Sequence, residues 1–195
     1  MTLRMAILVL FVLSAAACST KINDQSVVEQ QVLPDSVYIH AGNRIVAATF
    51  DTLRQSLLSA IGTQGMEQAI VFCNVNAYPL TNSFADSVTV KRTSLRVRNA
   101  NNLPDSLEQS VLQEFGGAKP GVKIIRIPGE INYFKPIMLQ AMCLNCHGIP
   151  NKEIQTSTMR KIIELYPNDR ATNFKEGDLR GVWHITFRTS LRNAQ

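Results

Sequence analysis

The chain has 195 residues, of which 45% are hydrophobic and 18% are charged, and this composition fits one globular domain. Its formal net charge is +5, from 20 Lys and Arg against 15 Asp and Glu, and the basic residues form no long run. A mild positive charge without a basic run argues against a nucleic-acid partner, and it is compatible with an acidic protein partner or a membrane surface.

The N-terminus is expected to be a signal peptide over residues 1–17. Its apolar core, residues 6–16, has signal-peptide length and is too short to span a bilayer as a mature helix. The core ends in Ala15-Ala16-Ala17-Cys18, which resembles a bacterial lipobox, although Ala15 stands where leucine is usual. We therefore expect Cys18 to be lipidated and to anchor the protein to a bacterial membrane outside the cytoplasm. Ordinary cleavage that leaves a free cysteine is the alternative.

Residues 18–36 are mostly polar and predict a flexible tether, followed by a single domain over residues 37–195. Two helices are expected to open this domain. Apolar residues at helical spacing predict a first helix that ends at Gly62. These residues are Val46, Phe50, Leu53, Leu57 and Leu58. A second helix is predicted over residues 64–77, before Pro79, and Cys73 lies on its apolar face.

The remaining segments predict a sheet with further helices. Strands are predicted over residues 88–95, 122–127, 131–139 and 182–188. Helices are predicted from Pro104 to Gly116 and over residues 154–165. The two middle strands flank Pro128-Gly129-Glu130, which is a hairpin signal. An antiparallel sheet with packed helices, the α+β class, fits this order of elements.

The segment Cys143-Leu144-Asn145-Cys146-His147 is the attachment pattern of a c-type haem. Two thiols with this spacing can bond the two vinyl groups of one haem, and the adjacent histidine is then held as an axial ligand of the iron. A redox dithiol, a disulfide or half of a zinc site are the alternatives. The sequence offers no second zinc-ligand pair and no βαβ pattern around the motif, whereas the export signal is what haem attachment requires.

Several segments in this order resemble a bacterial family of single-haem, PAS-like domains. They are Ala69–Cys73, Leu95–Asn99 with Asn102 and Pro104, Tyr133–Ile137, Cys143–Gly148, Tyr166–Asp169 with Ala171, and Gly177–Gly181. Asn173 stands where the family usually has glycine, and asparagine tolerates a positive φ better than most residues. The resemblance implies a PAS-like sheet that cradles one haem, in proteins with sensing or redox roles.

The second axial ligand of the iron is expected to be Cys73. It is the cysteine left after lipidation and haem attachment, and its segment matches the family; a buried structural cysteine is the alternative. Five further residues are candidates: His40, expected near a glycine-containing loop before the first helix, His184, Met66, Met138 and Met142. Met142 is too close to Cys143 to reach the opposite face of the haem. Arg96, Arg98 and Arg180 are candidates to bind the haem propionates, because guanidinium suits carboxylate binding, with solvated surface arginines as the alternative.

These patterns predict a lipid-anchored c-type haem protein that acts in redox or small-molecule sensing through its iron and requires a separate redox or signalling protein as partner. A simple electron-transfer cytochrome is the first alternative. A peroxidase-like enzyme is the weaker alternative, since the sequence shows no distal acid–base groups; we therefore expect a protein that is not an enzyme.

Overall fold

The computed structural model describes residues 33–81, 87–117 and 120–189. The predicted signal peptide, Cys18 and residues 19–32 of the predicted tether lie outside the described residues. Within the described part of the chain, no helix has the length and apolar character needed to cross a membrane.

Helix α1 covers Asp35–Gln64 and is followed directly by α2, Met66–Thr81. The prediction that α1 ends at Gly62 is wrong. Gly62 is exposed, and a glycine costs a helix only about 1 kcal/mol relative to alanine. The helix ends instead before Gly65, which has a φ of 86° and donates its backbone N–H to the carbonyl of Ile61 at 3.0 Å.

Helix α2 extends past Pro79, where the sequence predicted its end. A proline in the last turn removes one backbone hydrogen bond but leaves the rest of the turn in place. The Oγ1 of Thr81 donates to the carbonyls of Tyr78 at 2.8 Å and Ala77 at 3.2 Å, and these bonds hold the final turn.

The sheet has four antiparallel strands: β1 Val88–Thr93, β2 Lys123–Ile127, β3 Glu130–Met138 and β4 Leu179–Arg188. Their spatial order is β1-β4-β3-β2. The predicted hairpin joins β2 to β3, with Ile127 paired to Glu130 and Gly129 at a φ of 81°. The α+β class expected from the sequence is confirmed.

Helices cover both faces of the sheet. Helix α1 packs on the face that carries Trp183 and Ile185, and α3, Ser106–Gly117, packs on the face that carries Val182. The approach of α1 is close, because a Cβ on Gly42 would lie 2.5 Å from the ring of Tyr133. A larger residue at this position would push α1 away from the sheet.

Two short elements complete the domain on the side of α2. Helix α4 is the single turn Leu144–His147, and α5 covers Thr156–Leu165. A separate apolar cluster joins α2 to α5. It contains Ile70, Ile154, Ile162 and Tyr166. This cluster keeps α2 next to the attachment motif.

Candidate functional site

A cavity of ≈ 380 Å³ lies between the end of α1, helix α2, strand β1 and helix α4. Its lining includes Cys73 from α2 together with Cys143, Cys146 and His147. Apolar side chains from α1 and α2 form much of its wall: Leu57, Leu58, Ile61, Met66 and Ile70. The fold thus brings three cysteines and one histidine, which are as much as 74 residues apart in the sequence (147 − 73), to one largely apolar cavity.

His147, the last residue of α4, has one ring nitrogen committed to the protein. Its Nδ1 lies 2.7 Å from the carbonyl oxygen of Ala171 and therefore donates its proton there. Burial, together with the nearby Arg180 and Arg98 cations, lowers the pKa of His147 well below its usual value. The ring is thus neutral with a free lone pair on Nε2, which is the form of histidine that binds a metal.

The segment that follows α5 holds the attachment motif by its backbone. The N–H of Phe174 donates to the carbonyl of His147 at 3.0 Å, and the N–H of Asn173 donates to the carbonyl of Gly148 at 2.8 Å. Asn173 has a φ of 59°, in the left-handed region that asparagine tolerates better than most residues. Gly148 is required for space, since a Cβ there would lie 2.7 Å from both the Leu144 carbonyl oxygen and the Glu153 Cβ.

Arg98 is bound within the protein and supports this segment. Its Nε and Nη2 donate to the two carboxylate oxygens of Asp169 at 3.2 and 3.0 Å, and Nη2 also donates to the carbonyl of Cys146 at 2.7 Å. The Asp169 carboxylate also accepts the N–H of Ala171 at 2.9 Å. A chain of hydrogen bonds therefore runs from Arg98 through Asp169 and Ala171 to His147.

The other two predicted propionate partners differ in position. Arg96 donates to the carbonyls of Arg170 and Thr172, lies 3.9 Å over the ring of Phe174, and is not part of the cavity lining. Arg180 does line the cavity, and its Nη1 donates to the Arg96 carbonyl at 3.0 Å. Burial and repulsion from nearby arginines lower the pKa of Arg180 to about 10.

Arg92 also lines the cavity, and the sequence reasoning missed it. Its Nη2 donates to the carbonyl of Ala77 at 3.3 Å, and its guanidinium lies 5.6 Å from the ring centroid of Trp183. Strand alternation was the available signal, because Arg92 is two residues after the buried Val90 and so shares its face of the sheet.

The chemistry of the lining fits the haem that the motif predicts. Within the described residues, three arginines and no carboxylate line the cavity. The Nε of Arg92 is buried and has no hydrogen-bond partner there, and buried polar groups normally have one. An apolar cavity with unpaired cations suits a flat apolar ring that carries two carboxylates, and the thiols and the neutral imidazole suit its covalent attachment and its iron.

Cys73 lines this cavity from α2, a helix that is far from the attachment motif in the sequence. Burial raises the pKa of its thiol, and the Arg92 and Arg98 cations oppose that effect. Met66 is on the same helix, with its sulfur 3.7 Å from the Cys146 Sγ that would bond the porphyrin edge.

The alternative ligands lie elsewhere or at the rim of the site. His40 is exposed within α1, so the prediction of a loop there is wrong; the helix begins earlier, at Asp35. Met138 is exposed at the end of β3, and Met142 lines the cavity directly before Cys143.

His184 is on the sheet face that α3 covers, away from the cavity lining. Its Nδ1 lies 2.8 Å from the Glu108 carboxylate, and its Nε2 lies 2.8 Å from Oδ1 of Asn132. Glu108 also accepts from Lys91 and from the N–H of Asp105, whose carboxylate accepts the Glu108 N–H in return. This reciprocal pair is a capping box at the start of α3, so these acidic groups are explained by helix capping.

The comparisons agree with this architecture. The matching family model is described as Tll0287-like and covers residues 15–188. Among solved structures, the crystal structure of the cyanobacterial haem protein Tll0287 is similar, with a TM-score of 0.57 and 24% identity over 82% of this chain and 98% of that chain. No curated protein matches. The family match spans nearly the whole chain, and the chain therefore belongs to the Tll0287-like family.

Proposed function

We propose that this chain is a c-type haem protein that acts in redox or small-molecule sensing outside the cytoplasm. Cys143 and Cys146 would bond one haem, and His147 and Cys73 would be the axial ligands of its iron. The observation that carries the proposal is the meeting of Cys73 with the attachment motif in one cavity lined by arginines. Membership of a family that includes a haem protein supports the cofactor, and the antiparallel sheet under the cavity supports a PAS-like scaffold.

The haem would supply an iron that changes oxidation state and can exchange its weaker axial ligand. The protein would hold the neutral His147 ring through the carbonyl of Ala171. Cys73 is on α2, which packs against both α1 and α5. A change in the bond between the iron and the Cys73 sulfur would therefore move a helix that contacts two others. That arrangement favours sensing, with a separate protein reading the change.

A simple electron carrier is the second candidate. It is compatible with the same cavity, because Cys73 and His147 both line it and both would be ligands of the iron. The two functions differ in the reduced state: a sensor of small molecules binds CO or NO after release of a ligand, whereas a carrier with two retained ligands resists both. Optical titration of the reduced protein with CO and NO separates them.

Covalent attachment is the first test of the proposal. Extraction of the purified protein with acidic acetone is expected to leave the colour with the polypeptide, and intact mass spectrometry is expected to show one added haem. A variant with both Cys143→Ala and Cys146→Ala should release its haem under the same treatment. Extractable haem in the wild type, or zinc at the motif, would contradict the proposal.

Lipidation of Cys18 is a further part of the proposal. We expect Cys18→Ala to lose membrane association in fractionated cells, because the acyl chains supply the anchor. A Ser19→Ala variant is the matched control and should stay in the membrane fraction. Equal membrane binding of wild type and Cys18→Ala would show that the anchor is elsewhere.

A further inference from the structure

Arg92 is a half-buried arginine with few partners. Among the described residues, its recorded contacts are a 3.3 Å hydrogen bond to the Ala77 carbonyl and the Trp183 ring, whose centroid lies 5.6 Å from the guanidinium. Its Nε is buried without a hydrogen-bond partner in the described parts of the chain. A guanidinium carries five donors, and Arg92 lines the cavity while its one recorded hydrogen bond uses a single donor, so it has donors left for an acceptor in the cavity.

The charges around the cavity point to the same conclusion. Of its three arginines, Arg98 has a carboxylate partner in Asp169, whereas within the described residues Arg92 and Arg180 donate only to backbone carbonyls. Burial lowers the pKa of Arg92 and of Arg180, and the cations repel each other. Two half-buried cations without a carboxylate partner beside a largely apolar cavity favour the binding of an anion there.

We propose that Arg92 is a carboxylate-binding residue of this cavity, which binds one haem propionate while Arg180 binds the other. This assignment rests on the proposed function. Within the described residues, two of the arginines that line the cavity have no carboxylate partner, and a haem carries two propionates. Arg98 and Arg96 then have a different role, in which they hold the protein segments at the motif through Asp169 and through backbone carbonyls.

The proposal predicts a specific effect on the holoprotein. Arg92→Leu should lower the reduction potential, because the lost cation disfavoured the more positive ferric state. It should also shift the propionate bending band in the resonance Raman spectrum. Its ferric EPR spectrum should match that of the wild type, since the axial ligands are unchanged.

Two further variants make the test specific. Arg92→Lys keeps the charge and should keep most of the potential while it shifts the propionate band. If Arg92→Leu fails to accumulate, the shift of the propionate band in Arg92→Lys alone decides the assignment. Arg160→Leu removes an equal charge from an exposed position on α5 and should leave both the potential and the band unchanged.

The possible outcomes separate the assignment from the proposed function. A wild type without haem would overturn both. A haem-bound wild type with an unchanged propionate band in the Arg92 variants would overturn the assignment only. An altered EPR spectrum in Arg92→Leu with an unshifted propionate band would show that the guanidinium acts on the Cys73 sulfur, and it would also overturn the assignment.

Discussion

Replacement of Cys73 by serine is expected to raise the reduction potential of the holoprotein and to change its ferric EPR spectrum. A thiolate donates electron density and carries negative charge, and both properties stabilise ferric iron. Axial ligands set haem potentials over a range of about 0.8 V, so the loss of the thiolate should shift the potential by on the order of 0.1 V. Potentiometric titration and low-temperature EPR measure the two effects.

The matched control is Val75→Ser, which introduces the same residue on α2 at a side chain that is 63% exposed. It should leave both the potential and the EPR spectrum unchanged. An unchanged EPR spectrum in Cys73→Ser would exclude Cys73 as a ligand. Met66, which also lines the cavity, would then be the next candidate.

Replacement of Asp169 by alanine is expected to lower the free energy of unfolding more than any other substitution proposed for this protein. The Asp169 and Arg98 side chains are only 4% and 10% exposed, and removal of one partner leaves a buried charge unpaired. Such a change typically costs about 3–5 kcal/mol in the free energy of unfolding. The variant also loses the acceptor for the Ala171 N–H, so the carbonyl that holds His147 is less well positioned.

Denaturant unfolding of the holoprotein measures this cost. Asp35→Ala is the control, because it breaks an ion pair with Arg126 at which the two side chains are 55% and 33% exposed. Exposed pairs contribute about 0–1 kcal/mol, so this variant should stay close to the wild type. An Asp169→Ala variant as stable as Asp35→Ala would show that the Arg98 pair does not support the site.

The sequence by itself determined the features that depend on residues close together in the chain. The spacing within Cys143–His147 indicates haem attachment without any knowledge of the fold, because the two thiols and the imidazole are neighbours in one short segment. The hairpin at Gly129 follows from local backbone preferences and was predicted, whereas Asn173 was singled out only through the family resemblance. The end of α1 was predicted wrongly at Gly62, since a single exposed glycine is too weak a signal to end a long helix.

Only the tertiary structure decided what each charged or polar side chain faces. His184 and Arg92 are both on strands of one sheet, yet His184 is bound to Glu108 on the face under α3, whereas Arg92 lines the cavity on the other face. Arg98 is paired with Asp169, 71 residues away, and Cys73 meets the motif from a separate helix. Such partners depend on long-range packing. The residue type alone does not tell whether a side chain faces solvent, a carboxylate or a cavity.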